Sequence, residues 1–149
     1  MMTEYELSEL VLHSIDMYTS TLEMLYVLIT IYVTFLFAYL AAAFVAGARL
    51  TAPQSIIGST LFVTASGGVV FQVAMTLGGL QGTTRGVSRF MSRLAEESKA
   101  GMWMHNEAAG WLNHGTEIES ASYLIVGVLL LGMIASLYFM WSVRHPNTQ

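Results

Sequence analysis

The chain has no cysteine and very little charge. Lacking cysteine, it can form no disulfide, no thiolate metal site and no cysteine nucleophile, and its redox compartment stays open. Charged residues fill 11% of its 149 positions, against about 25% in a soluble domain. The net charge is −4, and Lys and Arg are too few and too scattered to form a broad basic patch, which argues against a nucleic-acid partner. Catalytic signatures are missing as well. There is no G-x-x-x-x-G-K-S/T phosphate loop, no H-E-x-x-H, no G-x-S-x-G and no dinucleotide fingerprint. Glu4, Glu6, Glu9 and Asp16 stand where a signal peptide would be basic, so no such segment is expected.

What is present is long uncharged runs in a chain that is 54% hydrophobic. Residues 24–48, 50–84 and 120–143 form three stretches of 25, 35 and 24 residues without a formal charge. A helix rises about 1.5 Å per residue, so roughly 20 apolar residues cross the hydrocarbon core of a bilayer. The expected fold class is all-α: a single integral membrane domain, residues 1–149, with spans at 24–48, 54–79 and 120–143. An amphipathic N-terminal helix (1–23) and an amphipathic connecting helix (85–119) complete it. Three spans alone make a thin bundle, so a homo-oligomer or other membrane subunits are expected as partners beside the lipid bilayer.

Local signals refine this picture. Between spans 1 and 2, Thr51 and Gln54 have the S/T-x-x-Q spacing of a capping box, and Pro53 suits a first helical turn, so a short hairpin turn is expected. Span 2 is rich in small residues. Helices in lipid associate through close backbone approach at such positions. Ala43 and Gly47 on span 1, and Gly67, Gly68, Gly78 and Gly82 in and just after span 2, are therefore the expected helix-packing residues. Gln72, the amide deep in span 2, joins them as a hydrogen-bonding group. No Asp, Glu, Lys, Arg or His lies within a span, which argues against a proton relay or a coupled transporter.

The polar chemistry gathers in the two non-spanning segments. Glu6, Glu9, His13, Asp16, Ser20 and Glu23 step by three and four, which places them on one face of a helix. Leu7, Val11, Ile15, Tyr18 and Leu22 take the other face. In the connection, Arg85, Arg89 and Arg93 step by four, opposite Val87, Phe90, Met91 and Leu94. Those arginines suit anionic lipid headgroups or an acidic partner such as the N-terminal stripe. His105 falls on the apolar side of the same pattern and reads as a packing residue. An odd number of spans puts both segments on one side of the membrane. The Lys and Arg count favours that side as cytoplasmic, while the charges flanking span 1 favour the reverse, so orientation stays open.

One spacing resembles a metal site. Glu9, His13 and Asp16 share a helical face at i, i+4 and i+7, and His114 with Glu117 offers a second pair three residues apart. Against this stands the plainer reading of a solvated stripe, and helical di-metal sites repeat Glu-x-x-His where this chain has His-x-x-Glu. No cofactor follows from the sequence.

The stretch from Ala38 to Gln54, with Gly47, Leu50, Thr51 and Gln54 as its distinctive positions, resembles the first hairpin of a group of small bacterial membrane proteins. That resemblance implies three helices and an inner-membrane, multi-pass location, and it brings no activity with it. The leading functional expectation is a non-enzymatic scaffold or accessory subunit of a membrane assembly. The alternatives are a homo-oligomeric channel lined by Ser59, Thr60, Thr64, Ser66 and Gln72 of span 2, and a metal-binding protein using the acidic and histidine face.

Overall fold

The computed structural model describes residues 4–46, 49–97 and 102–144, which form three helices in succession: α1 (Glu4–Ala46), α2 (Ala52–Glu97) and α3 (Met102–Arg144). They hold 43, 46 and 43 residues. At about 1.5 Å per residue each is roughly 65 Å long, twice the ~30 Å of a hydrocarbon core. Each contains a stretch long and apolar enough to cross a membrane, within Ser8–Ala46, Ala52–Glu96 and His105–Val143.

The amphipathic N-terminal segment and the first apolar run are one unbroken helix, α1. The turn that follows is built as its spacing predicts. Leu50 N–H donates to the Ala46 carbonyl at 3.1 Å. Thr51 N–H donates to Gln54 Oε1 at 3.0 Å, the return half of a capping box. Pro53, second in α2, sits where its missing N–H would have had no helical partner anyway.

The connecting segment differs from expectation. Residues 85–119 are not a helix of their own: 85–97 complete α2 and 102–119 open α3, with 98–101 outside the described residues. The arginine row and the His114/Glu117 pair thus belong to two helices running in opposite directions. The amphipathic pattern carries no strong stop at either end of the segment, so each apolar run extends into it as continuous helix.

Contacts divide the chain into two units. Unit 1 comprises Met1–Tyr26 and Met75–Tyr123, and unit 2 comprises Val27–Ala74 and Leu124–Gln149. In unit 1 a regular seam runs through the buried and half-buried positions of every helix: Val11, Ser14, Tyr18, Thr21 and Leu25 on α1; Leu77, Leu80, Thr84, Val87, Met91 and Leu94 on α2, with Thr76, Thr83, Ser88 and Ala95 buried beside it; Ala108, Trp111, Gly115, Ile118 and Ser122 on α3. The steps alternate strictly between three and four, the 3.5-residue repeat of a left-handed coiled coil. Unit 2 departs from it once per helix, with two successive steps of four at Leu28-Tyr32-Leu36, Phe62-Ser66-Val70 and Gly132-Ser136-Met140. Each doubled step raises the local period from 3.5 to about 3.67, so the seam there no longer drives a left-handed supercoil.

Along α3 one column of this seam recurs every seven residues: Ala108, Gly115, Ser122, Leu129 and Ser136. Four of the five are small, and two of them receive a neighbour closely. In unit 1, a Cβ at Gly115 would lie 2.8 Å from Thr84 Oγ1, while Ser88 Oγ donates to the Ala108 carbonyl at 2.8 Å. Tyr18 meets Trp111 edge-on at 5.3 Å between ring centroids. In unit 2, Tyr32 donates its hydroxyl proton to the Leu129 carbonyl. Beside it, a Cβ at Gly132 would lie 3.1 Å from both Tyr32 Oη and Leu36 Cδ1. Tyr39 stacks on Phe62 at 4.0 Å and shares a hydrogen bond with Ser59 Oγ at 2.9 Å.

Candidate functional site

The side chains with chemistry to offer lie in unit 1. On α1, Glu6, Glu9, His13, Asp16, Ser20 and Glu23 are all exposed, while Val11 is buried and Ile15 and Tyr18 are half-buried, as an amphipathic helix requires. Glu6, Glu9, His13 and Asp16, with Leu10 and Leu12, line an open cleft of about 690 Å³. Glu9 Oε1 accepts the Tyr5 hydroxyl proton at 2.9 Å, one helical turn away. On α2, Arg85, Arg89 and Arg93 are exposed over a buried Val87 and Leu94. Arg85 pairs with Glu119 of α3 at 3.3 Å, with about half of each side chain still in solvent. On α3, His114 Nδ1 lies 3.2 Å from Glu117 Oε2, an exposed pair at i, i+3. Trp111 stands between Tyr18 and His114, whose ring centroid is 6.5 Å away.

The metal candidates are not assembled into one donor set. Among the described residues no group of three or more His, Asp or Glu side chains is placed to hold an ion. Glu9, His13 and Asp16 share a face, and His114 binds Glu117 on another helix. Residues at i, i+4 and i+7 point the same way but spread along about 10 Å of axis at 1.5 Å per residue. One helix therefore cannot close them round a single ion.

The packing residues also redistribute. Ala43 is fully buried. Gly47 lies outside the described residues. Among the described residues nothing lies within 4 Å of where a Cβ would stand at Gly67, Gly68, Gly78 or Gly82. Gln72 is exposed. Among the described residues, the glycines that receive a close neighbour are Gly115 and Gly132, both on α3. Sequence reasoning passed over them because it weighed glycine density, which is highest in span 2. The seven-residue column is the signal that would have found Gly115; Gly132 lies off that column. His105, expected to pack, is exposed, one position off the α3 seam.

The polar residues of span 2 scatter. Ser66 is fully buried and Ser59 is half-buried against Tyr39, whereas Thr60, Thr64 and Gln72 are exposed. Five residues divided between the inside and the outside of one unit do not line a common surface. Unit 2 also carries an apolar groove of about 650 Å³ between α1 and α3, from Leu36 to Phe44 and from Gly132 to Phe139. Comparison with protein-family models, with curated proteins and with solved structures gives no match.

Proposed function

We propose that this chain is a multi-pass protein of the bacterial inner membrane, acting without catalysis as a scaffold or accessory subunit of a membrane assembly. The observation that supports this is the inverted distribution of its side chains. Tyr26, Phe37, Phe44, Leu61, Phe71, Leu131 and Tyr138 are each 65–77% exposed. Ser55, Ser66, Ser136, Thr84 and Ala43 are buried. Water would penalise so much outward apolar surface, far beyond what a soluble monomer shows, whereas lipid is as apolar as leucine itself. On this reading the segments 24–48, 54–79 and 120–143 occupy the bilayer, and 4–23 and 85–119, where the charges collect, stand outside it.

A seam of small residues and outward bulk leaves little inside to bind a substrate, which favours an assembly role over an enzyme. The test is native mass in lipid nanodiscs after gentle extraction. A complex of several copies, or a co-purifying membrane subunit, is expected. A strict monomer with nothing attached would sink the proposal.

A further inference from the structure

We propose that the partner includes a second copy of this chain, docked in unit 1 with the α2 arginines of one copy against the acidic α1 face of the next. The inference rests on the membrane reading and adds to it a surface and an occupant.

In the repeat of unit 1 the seam positions face inward, and the positions farthest from them face out. Glu9, Asp16 and Glu23 recur every seven residues at such an outer position on α1, and Arg89 and Arg93 occupy outer positions on α2. All five are exposed. Among the described residues Asp16, Glu23, Arg89 and Arg93 enter no salt bridge, while Arg85 is engaged by Glu119. Opposite charges on outward faces of two helices in one bundle are turned away from each other, so they are available to a neighbour.

Height matters as much as sign. Within unit 1, α3 gives a common ruler. Thr84 meets Gly115 and Ser88 bonds Ala108, while Tyr18 meets Trp111, which lies between those two positions. Tyr18 is therefore level with 84–88. Since α1 and α2 run oppositely through the unit, Arg89 lies within a turn of the level of Asp16, and Arg93 falls between His13 and Glu9. Copies held in one bilayer share that level, so the two rows meet without sliding. Leu10 and Leu12 lie beside Glu9, His13 and Asp16 on an open face and offer apolar surface to the arginines' methylene stems. Gly78 and Gly82 continue the arginine ridge toward the apolar half of α2 with open space above them. The approaching helix meets no bulk there. The contact joins unlike faces, so each copy keeps one of each free for further neighbours, and a ring closes if the rotation permits.

The experiment uses full-length chains carrying two different affinity tags, co-expressed and extracted with their lipid into nanodiscs. Wild-type copies should co-purify, and less so as salt is raised. Arg89→Glu with Arg93→Glu sets acid against acid at the contact, and Glu9→Lys with Asp16→Lys sets base against base there. Each variant alone should lose self-association by roughly tenfold or more, since like charges now meet. Co-expressing the two variants should restore it, because every contact then joins opposite charges. All four positions are exposed, and circular dichroism checks that each variant stays helical. Wild-type copies that do not co-purify, or variants that fail to rescue each other, overturn the proposal. If another membrane subunit co-purifies while copies of this chain do not, this proposal falls and the assembly reading stands. If nothing co-purifies at all, both fall.

Discussion

Replacing Gly115 by alanine tests the α3 column directly. The new Cβ would lie 2.8 Å from Thr84 Oγ1 and 3.6 Å from Thr84 Cβ. The oxygen cannot swing away freely, because it donates to the Gln81 carbonyl at 3.0 Å. Giving up that bond costs about 0.5–1.5 kcal/mol, and forcing an extra carbon into a filled seam costs about 1–3 kcal/mol. Alanine returns about 1 kcal/mol over glycine in a helix. The net expectation is a loss of about 2 kcal/mol. In a Thr84→Ala background the offending oxygen is gone and only the ordinary 3.6 Å contact remains. There Gly115→Ala should stabilise by about 1 kcal/mol, so the two sites couple by about 3 kcal/mol in a double-mutant cycle. Gly110→Ala is the control, with nothing within 4 Å, and should stabilise by about 1 kcal/mol or less. Denaturant unfolding in detergent, followed by far-ultraviolet circular dichroism and by tryptophan fluorescence, reads all four variants. Equal effects of Gly115→Ala in both Thr84 backgrounds, or a gain matching that of Gly110→Ala, would refute the close approach.

Three further outcomes follow from the same geometry. Tyr32→Phe removes the hydroxyl bonded to the Leu129 carbonyl and should destabilise by about 0.6 kcal/mol, the average for such bonds between helices in lipid, measured by unfolding in mixed micelles. Ser66→Ala should be neutral or mildly stabilising, since its buried hydroxyl has no hydrogen-bond partner among the described residues, whereas Ser88→Ala loses the bond to the Ala108 carbonyl and should cost about 1 kcal/mol; the two denaturation midpoints should move apart. Arg85→Ala breaks a pair whose side chains are 52% and 44% exposed, so its unfolding free energy should change by about 0.5 kcal/mol or less.

The apolar runs, the Thr51–Gln54 cap and both amphipathic faces could be read from spacing, because each is local and repeats within a turn or two. The exposed glutamates of α1 and the exposed arginines of α2 lie where their three- and four-residue steps put them. Other features depend on which residue lies opposite, and a single chain read in order does not state that. Gly115 is a packing position within this chain because Thr84 faces it, whereas among the described residues nothing lies within 4 Å of a Cβ at Gly67. The joining of 85–97 to α2 was hidden for a related reason. A helix can change its surface from greasy to charged with no change in its backbone, so in the sequence a change in composition looks like a boundary between elements.

The seven-residue column on α3 does more than admit its neighbours. A helix in a repeating seam can in principle be displaced by one repeat and find nearly the same surroundings, so something must tell the true alignment from its copies. Moving α3 by seven residues brings either Ala108 or Ser122 opposite Thr84. Each would drive a carbon into a position that tolerates only the hydrogen of Gly115. The same move takes Leu129, the one bulky member, out of its buried place and leaves a serine there, exchanging a filled site for a void. Too little room at one station and too much at another reject the slipped alignment from both directions, so α3 is indexed against its partners like a key with one deep notch and one tall tooth.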